Sequence, residues 1–241
     1  MIYNVPPDAF GPLGTRNGDL IAICNIIEWI RKQKNDSTIK FFLAPGILNK
    51  EDYIQKFYDF LCDNTDYFSK SPGDKILNFH NIGVWDFRDI IGDNVKIKNN
   101  YEQTKKVVVF PLYDAQYNSQ RNWSIDVMNN ILLEIKEQYP EYEKVICAKD
   151  HPPEGLIDTS GFKVSTDFAE NVKHIMESMV FYGGDTGVSH LASVIDPGPE
   201  LNYVYSSRCL IHTLPFYFIS QRKGNLKTYW LDFVGEAKWE L

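Results

Sequence analysis

The chain has 241 residues, a formal net charge of -7, 44% hydrophobic residues and 14% aromatic residues. That apolar content suffices for one large core or two small ones and excludes a disordered chain. The acidic balance argues against broad nucleic-acid binding through a basic surface, while leaving room for a local basic groove.

The start, Met1-Ile2-Tyr3-Asn4-Val5-Pro6, is no signal peptide, and no apolar run approaches transmembrane length. Cys24, Cys62, Cys147 and Cys209 are scattered without Cys-x-x-Cys spacing, so neither a zinc knuckle nor a disulfide framework is indicated. A reduced, cytoplasmic protein is the expectation.

Along the chain, residues 1–5 read as a strand, followed by a loop rich in proline and glycine. After Arg16-Asn17-Gly18-Asp19 a helix is predicted, with Leu20, Ile23, Ile27 and Ile30 as its apolar stripe and Arg31, Lys32 and Lys34 at its C-terminal end. Ile39–Leu43 reads as a buried strand stopped at Pro45-Gly46, and Glu51–Cys62 as a helix. Lys75–Phe79 and Val95–Ile97 are weaker strand candidates. The polar segment 98–105 is the expected linker.

The pattern then restarts. Val107-Val108-Val109-Phe110 is a strand run ended by Pro111. Ser124 can cap a helix with the stripe Ile125, Met128, Leu132 and Ile135. Val145–Ala148 is the next strand, Phe168–Met179 a helix, and Leu201–Tyr205 another strand. From Leu214 onward the aromatic sequence reads ambiguously.

Strands alternate with helices on each side of residue 100, which predicts parallel βαβ units. The expected fold class is α/β, with two Rossmann-like lobes facing a central cleft. The expected domains are residues 1–100, residues 101–215 and a C-terminal segment 216–241 that packs back on the first lobe. Ligands of such sheets bind outside the C-terminal ends of the strands.

The richest stretch is Phe181-Tyr182-Gly183-Gly184-Asp185-Thr186-Gly187-Val188-Ser189-His190-Leu191-Ala192-Ser193. An apolar run ends at a glycine pair, and a helical pattern begins just after a third glycine. That order predicts strand, tight turn and helix N-terminus, with Asp185 or Thr186 as cap. First-turn amides and the helix dipole favour an anion such as phosphate. Asp185 would repel a phosphate set directly against it, so its expected work is to cap the helix or to brace a cation or sugar hydroxyl. His190 stands on the same helical face as Gly187. Such turns also occur in α/β proteins without any ligand, with the aspartate as a cap and the histidine as a satisfied core residue.

Other loops supply further chemistry. Asp19 follows Gly18 at a helix start, Arg121 precedes Asn122-Trp123 before a helix, and Lys149 sits at a strand end. A carboxylate in one lobe and a phosphate-binding cluster in the other suit group transfer from an activated donor. Each residue has a plainer alternative: a helix cap for Asp19, a surface cation for Arg121, a solvated strand-end lysine for Lys149.

Three of these stretches resemble family 9 glycosyltransferases, the group that includes the heptosyltransferases of lipopolysaccharide synthesis. Gly18-Asp19-Leu20-Ile21 is similar to the family's N-terminal Gly-Asp motif, and Arg121-Asn122-Trp123-Ser124 to its Lys/Arg-x-Trp motif. Gly184-Asp185-Thr186-Gly187-Val188-Ser189-His190-Leu191-Ala192 is similar to its Asp-Thr-Gly-x-x-His-x-Ala signature, the most specific of the three.

The resemblance implies the two-lobed GT-B fold in a shortened form, and a nucleotide-diphosphate sugar as donor. It implies Asp19 as general base on the acceptor hydroxyl and Arg121 as a diphosphate contact. Thr186 and Gly187 would offer a hydroxyl and amides to phosphate, with Asp185, His190 and Lys149 shaping the donor side.

The chain departs from the family in its compressed first lobe and in Cys24-Asn25, which stand where the family carries a Thr-Pro or similar pair. Segment 60–100 matches nothing in the family. Its His80, Trp85 and Arg88, with Arg16, are candidates for the acceptor side, with local packing of an aromatic turn as the alternative.

No Asp-x-Asp pair occurs, so a metal-independent, inverting transfer is expected, with no cofactor beyond the sugar donor. The expected acceptor is a carbohydrate or glycolipid hydroxyl. Two other readings remain open: a transferase glycosylating a modified DNA base, and a non-catalytic nucleotide-sugar-binding module.

Overall fold

The computed structural model describes residues 1–6, 17–44, 46–48, 52–77, 95–112, 122–184, 186–207, 226–231 and 237–239. It divides into two compact units, residues 1–98 and 99–241.

The first unit is a three-stranded parallel sheet with its connecting helices. Strand β1 (Ile2–Val5) is central, flanked by β2 (Lys40–Leu43) and β3 (Lys75–Ile76), all parallel. Helix α1 (Asn17–Lys34) joins β1 to β2, and α2 (Asp52–Asn64) joins β2 to β3. A two-residue strand, β4 (Ile97–Lys98), closes the unit's sequence.

The predicted stripe of α1 is buried, but so are Ile21, Ala22, Cys24, Asn25 and Ile26 between its members. From Leu20 to Ile27 the helix is buried on every side, as an apolar run without a polar face requires. Arg31, expected as a dipole-facing surface cation, is buried. Its Nε donates to Ile39 O at 2.9 Å and its Nη2 to Asp66 O at 2.8 Å. Nη1 pairs with Glu28 at 2.9 Å, and the guanidinium lies 4.9 Å from the centre of the Tyr67 ring. Every face of this cation is spoken for, so its role is to lock α1 to the chain leading into β2.

The second unit carries the larger sheet. Its strands are β5 (Thr104–Phe110), β6 (Glu143–Cys147), β7 (Lys163–Ser165), β8 (Ser178–Gly184), β10 (Leu201–Ser207), β11 (Leu226–Leu231) and β12 (Ala237–Trp239). Helices α3 (Ile125–Gln138), α4 (Phe168–Glu177) and α5 (Gly187–Val194) connect them, with a two-residue strand β9 (Ile195–Asp196) after α5. Across the sheet the order is β7-β6-β5-β8-β10-β11, all parallel, with β12 antiparallel at the edge. Counted along the chain, the parallel strands run 3-2-1-4-5-6. This is the order of the doubly wound dinucleotide-binding sheet, whose direction reverses between strands 1 and 4, here β5 and β8.

The central strands read as continuous apolar runs because both their faces are covered. On one face α3 packs Val127, Met128, Ile131, Leu132 and Ile135 against Val107, Val109, Ile146, Tyr182, Tyr203 and Tyr205. On the other, α4 lies on β5, β6 and β8, and α5 on β8 and β10.

Several boundaries differ from expectation. The stripe of α3 lies one position round the helix, with Val127 and Ile131 inside and Ile125 exposed. Helix α4 ends at Glu177, because Ser178 is already the first residue of β8. The segment expected as a linker is pinned. Asn99 Nδ2 donates to Met176 O at 2.7 Å, Gln103 Nε2 to Gly198 O at 2.6 Å, and Thr104 opens β5. The C-terminal sequence set apart as segment 216–241 contributes β11 and β12 to this same sheet.

Candidate functional site

The reversal point lies where the C-terminal ends of β5 and β8 run side by side, with Phe110 paired to Gly183. After β8 the chain turns directly into α5. Thr186 is the N-cap: its backbone is extended, its Oγ1 accepts from Ser189 N, and its carbonyl accepts from His190 N at 3.2 Å. Of the two residues expected as cap, Thr186 fills the position, and Asp185 lies outside the described residues. A cap of this kind takes the third-position amide and leaves those of Gly187 and Val188 pointing outward along the dipole.

The glycine pair has a steric cause. A side chain at Gly183 would place its Cβ 2.5 Å from Ser189 Oγ and 2.6 Å from Phe181 Cε1. The absent side chain lets α5 start immediately against the strand, and Ser189 Oγ then donates to Gly184 O. At Gly184 an added Cβ would stand 3.0 Å from Leu112 Cβ and 3.4 Å from Trp123 Nε1. Here the chain just after β5, the end of β8 and the residue before the N-cap of α3 come close together.

Trp123 is held from several sides. Its amide donates to Leu112 O at 2.6 Å, its ring meets Tyr205 edge-on at 5.2 Å, and it is 4% exposed. Next to it Ser124 caps α3, accepting from Val127 N at 3.2 Å. The indole Nε1 is buried and has no hydrogen-bond partner among the described residues. An indole N–H can only donate, and leaving such a group unsatisfied costs about 1–3 kcal/mol.

Other predicted residues stand as follows. Gly187 is the first residue of α5 and is half-buried, whereas His190 is buried within that helix. Lys149 is exposed, two residues beyond β6. Asp19 falls in the first turn of α1, in the other unit. Arg16, His80, Trp85, Arg88, Arg121 and Asp185 lie outside the described residues. The structure thus brings together Thr186, Gly187 and His190 at one strand-to-helix junction. It adds Trp123, which the sequence reading named only as part of a motif. The signal for Trp123 was its adjacency to a capping serine, which fixes it at the sheet's edge.

At the opposite end of the same strands lies a second polar cluster that the sequence did not announce. Lys106, on β5, is buried. Its Nζ lies 3.1 Å from His174 Nδ1 and 3.3 Å from Glu143, and is bonded to Glu177. Lys163 Nζ lies 3.4 Å from His174 Nε2. A neutral imidazole has one acceptor nitrogen. Both ring nitrogens thus face a lysine ammonium, and the neutral ring can accept from only one of them. Burial, then the charges of Lys106 and Lys163, hold His174 below its ordinary pKa. Burial pushes the Glu177 carboxyl up, but the bonded Lys106 ammonium, with Lys173 and His174 nearby, brings it below its usual value.

Among the described residues no three His, Cys, Asp or Glu side chains are grouped to hold a metal ion, and no helix is long and apolar enough to cross a membrane. Cys24, Cys62 and Cys147 are free thiols. Burial raises Cys24 and Cys147 far above the ordinary thiol range and Cys62 to about 11, so none is poised as a nucleophile.

No protein-family model, curated protein or solved structure matches the chain.

Proposed function

We propose that the chain is a glycosyltransferase, moving a sugar from a nucleotide-diphosphate donor to an acceptor hydroxyl with inversion. The observation that carries this reading is the place of the glycine turn. It stands at the reversal point of a 3-2-1-4-5-6 parallel sheet, where doubly wound folds bind phosphate-bearing ligands, and it opens onto the N-terminus of α5. The three motifs resembling family 9 glycosyltransferases narrow the ligand from any nucleotide to a sugar donor.

In this reading the second unit binds the donor and the first serves the acceptor, as in the GT-B fold. Asp19 takes the proton of the acceptor hydroxyl as that oxygen attacks the anomeric carbon. The bond from the anomeric carbon to the diphosphate oxygen breaks, and negative charge collects on the departing diphosphate. The Gly187 and Val188 amides, the Thr186 hydroxyl and Arg121 meet that charge, which grows along the reaction and is stabilised most in the transition state.

Two measurements test it. The first is thermal unfolding and calorimetry with uridine, adenosine, guanosine, cytidine and thymidine diphosphates. A matching nucleotide at a hundredfold excess over its Kd stabilises the protein by about 2.7 kcal/mol. The second is transfer from the matching nucleotide-sugar: Asp19→Asn should abolish turnover while donor affinity is kept. Failure to bind any nucleoside diphosphate overturns the reading. Donor binding by the unaltered protein with neither transfer nor hydrolysis makes it a binding module instead.

A further inference from the structure

Strand β7 stands at one end of the larger sheet, is three residues long, and has β6 as its strand neighbour among the described residues. The pairing ends where the Ala148 amide donates to Ser165 O at 3.0 Å. Two of the three side chains of β7 are tied to α4. Lys163 Nζ lies 3.4 Å from His174 Nε2 and 4.0 Å from Glu170, and Ser165 Oγ donates to Glu170 at 3.4 Å.

His174 is 6% exposed and has an ammonium group on each ring nitrogen, Lys106 on Nδ1 and Lys163 on Nε2. A neutral imidazole can accept from one of them. A protonated imidazole carries two N–H donors and accepts from neither. Protonation therefore puts three cations in a row and sets donor against donor at both contacts. The other charged groups around the ring are Glu143 on β6 and Glu170, Lys173 and Glu177 on α4 itself. Glu143 and Glu177 are engaged by Lys106, and Glu170 by Lys163 and Ser165. Burial, then the two lysine charges, hold the ring below its ordinary pKa and keep it neutral at pH 7.

The surroundings of the ring decide which side yields when it is charged. Lys106 is buried and bonded to Glu177. Helix α4 is fixed by buried Phe168, Val172, Ile175 and Met176, on top of β5, β6 and β8. Lys163 is half exposed, on a strand with few ladder bonds to lose. Water reaches a charged ring most readily from the β7 side.

We propose that β7 is an acid-released edge strand with His174 as its trigger: β7 parts from β6 and α4 to accommodate the protonated ring, while the rest of the sheet stays paired. In the open form the ring is hydrated and titrates at an ordinary value of about 6.5. Opening is therefore favoured as pH falls below that value, by at most about tenfold per pH unit, until the closed form is protonated as well. Release bares the edge of β6, whose Val145, Ile146 and Cys147 are fully buried when β7 is in place. An uncovered edge of that kind is a template for pairing with another strand. The switch stands whether or not the chain transfers a sugar.

The test is amide hydrogen exchange on the full-length protein at about pH 7.5 and about pH 5.5, either side of an ordinary histidine, corrected for the intrinsic pH dependence of exchange. Protection at Ala148 and at residues 163–165 should fall several-fold at the lower pH, and protection of β5 and β8 should not. His174→Gln should abolish the fall. If that variant does not fold, Lys163→Met removes one of the charges that oppose protonation at an exposed position, and the fall should shrink. Unchanged protection of β7 at the lower pH overturns the proposal, since the Lys163 side chain alone would then make way for the charged ring. A fall shared by β5 and β8, or one kept in full by the variant, overturns it too.

Discussion

The two ends of the second unit's sheet treat buried polar groups in opposite ways. At the N-terminal end of the strands, Lys106 is surrounded by His174, Glu177 and Glu143, and each charge has a counter-charge or an acceptor. At the C-terminal end, the Trp123 indole is equally buried and has no hydrogen-bond partner among the described residues. Both arrangements are costly to build, but among the described residues the first is complete and the second is not. A saturated network contributes a unique, rigid packing; an unsatisfied buried donor costs stability and returns none. In the proposed reading the same strands carry a structural end and a binding end, and polarity alone does not tell them apart. Saturation does.

The comparison is broken most forcefully at Lys106. Lys106→Met removes the cation from between Glu177 and His174 and leaves a mostly buried carboxylate whose remaining ion pair among the described residues is the longer one to Lys173, 3.7 Å away. Removing one partner of a buried ion pair costs about 3 kcal/mol or somewhat more. Urea unfolding should show that loss, and calorimetry should show unchanged affinity for the nucleoside diphosphate. A variant as stable as the parent would mean that the network does not hold the sheet end together.

Within the same network the effect of acid is smaller and has a definite sign. His174 is held below its ordinary value by burial and by Lys106 on β5 and Lys163 on β7, against the opposing pull of Glu143 on β6 and Glu177 on its own helix. Its unfolded pKa is about 6.5, so below that pH the unfolded chain binds more protons than the folded one. Stability present above about pH 6.5 is therefore lost as pH falls toward the lowered folded value, by at most about 1.4 kcal/mol per pH unit. The depressed Glu177 adds a loss of the same sign at lower pH. Urea midpoints measured from about pH 8 down to 5 should fall for the parent and stay flat for His174→Gln through the histidine window. An equal slope in both would assign the acid sensitivity elsewhere.

The sequence made one end of this sheet far more readable than the other. The glycine pair, the short polar residues and the apolar run before them mark β8, its turn and α5, because local backbone sterics and capping dictate all three. The Lys106 network was silent. Its members are spread over residues 106, 143, 163, 174 and 177, and only the strand order brings them together. Lys106 stood between the expected linker 98–105 and the strand run from Val107 with no role assigned, because burial of a lysine needs partners that local sequence does not display. Arg31 misled in the same way: three basic residues at a helix end suit the dipole, yet this one reaches the backbone of residues 39 and 66. The strand order itself was beyond reach, because β7 is three residues long and β11 falls in an aromatic stretch with no clear period.

The smallest expected effect lies at the turn. Thr186→Ala removes the acceptor of the Ser189 amide, an N-cap contact at 3.4 Å that is longer than a strong bond. The stability cost should be about 0.5–1 kcal/mol, at the low end for a lost cap, and Thr186→Ser should recover it. If the turn is a binding end, the same hydroxyl also faces the phosphate. Alanine should then weaken nucleoside diphosphate affinity by more than the stability change implies, and serine should restore both. Loss of stability with unaltered affinity would make Thr186 a cap alone. The C-terminal end of the sheet would then differ from the Lys106 end by Trp123 and the α5 amides only.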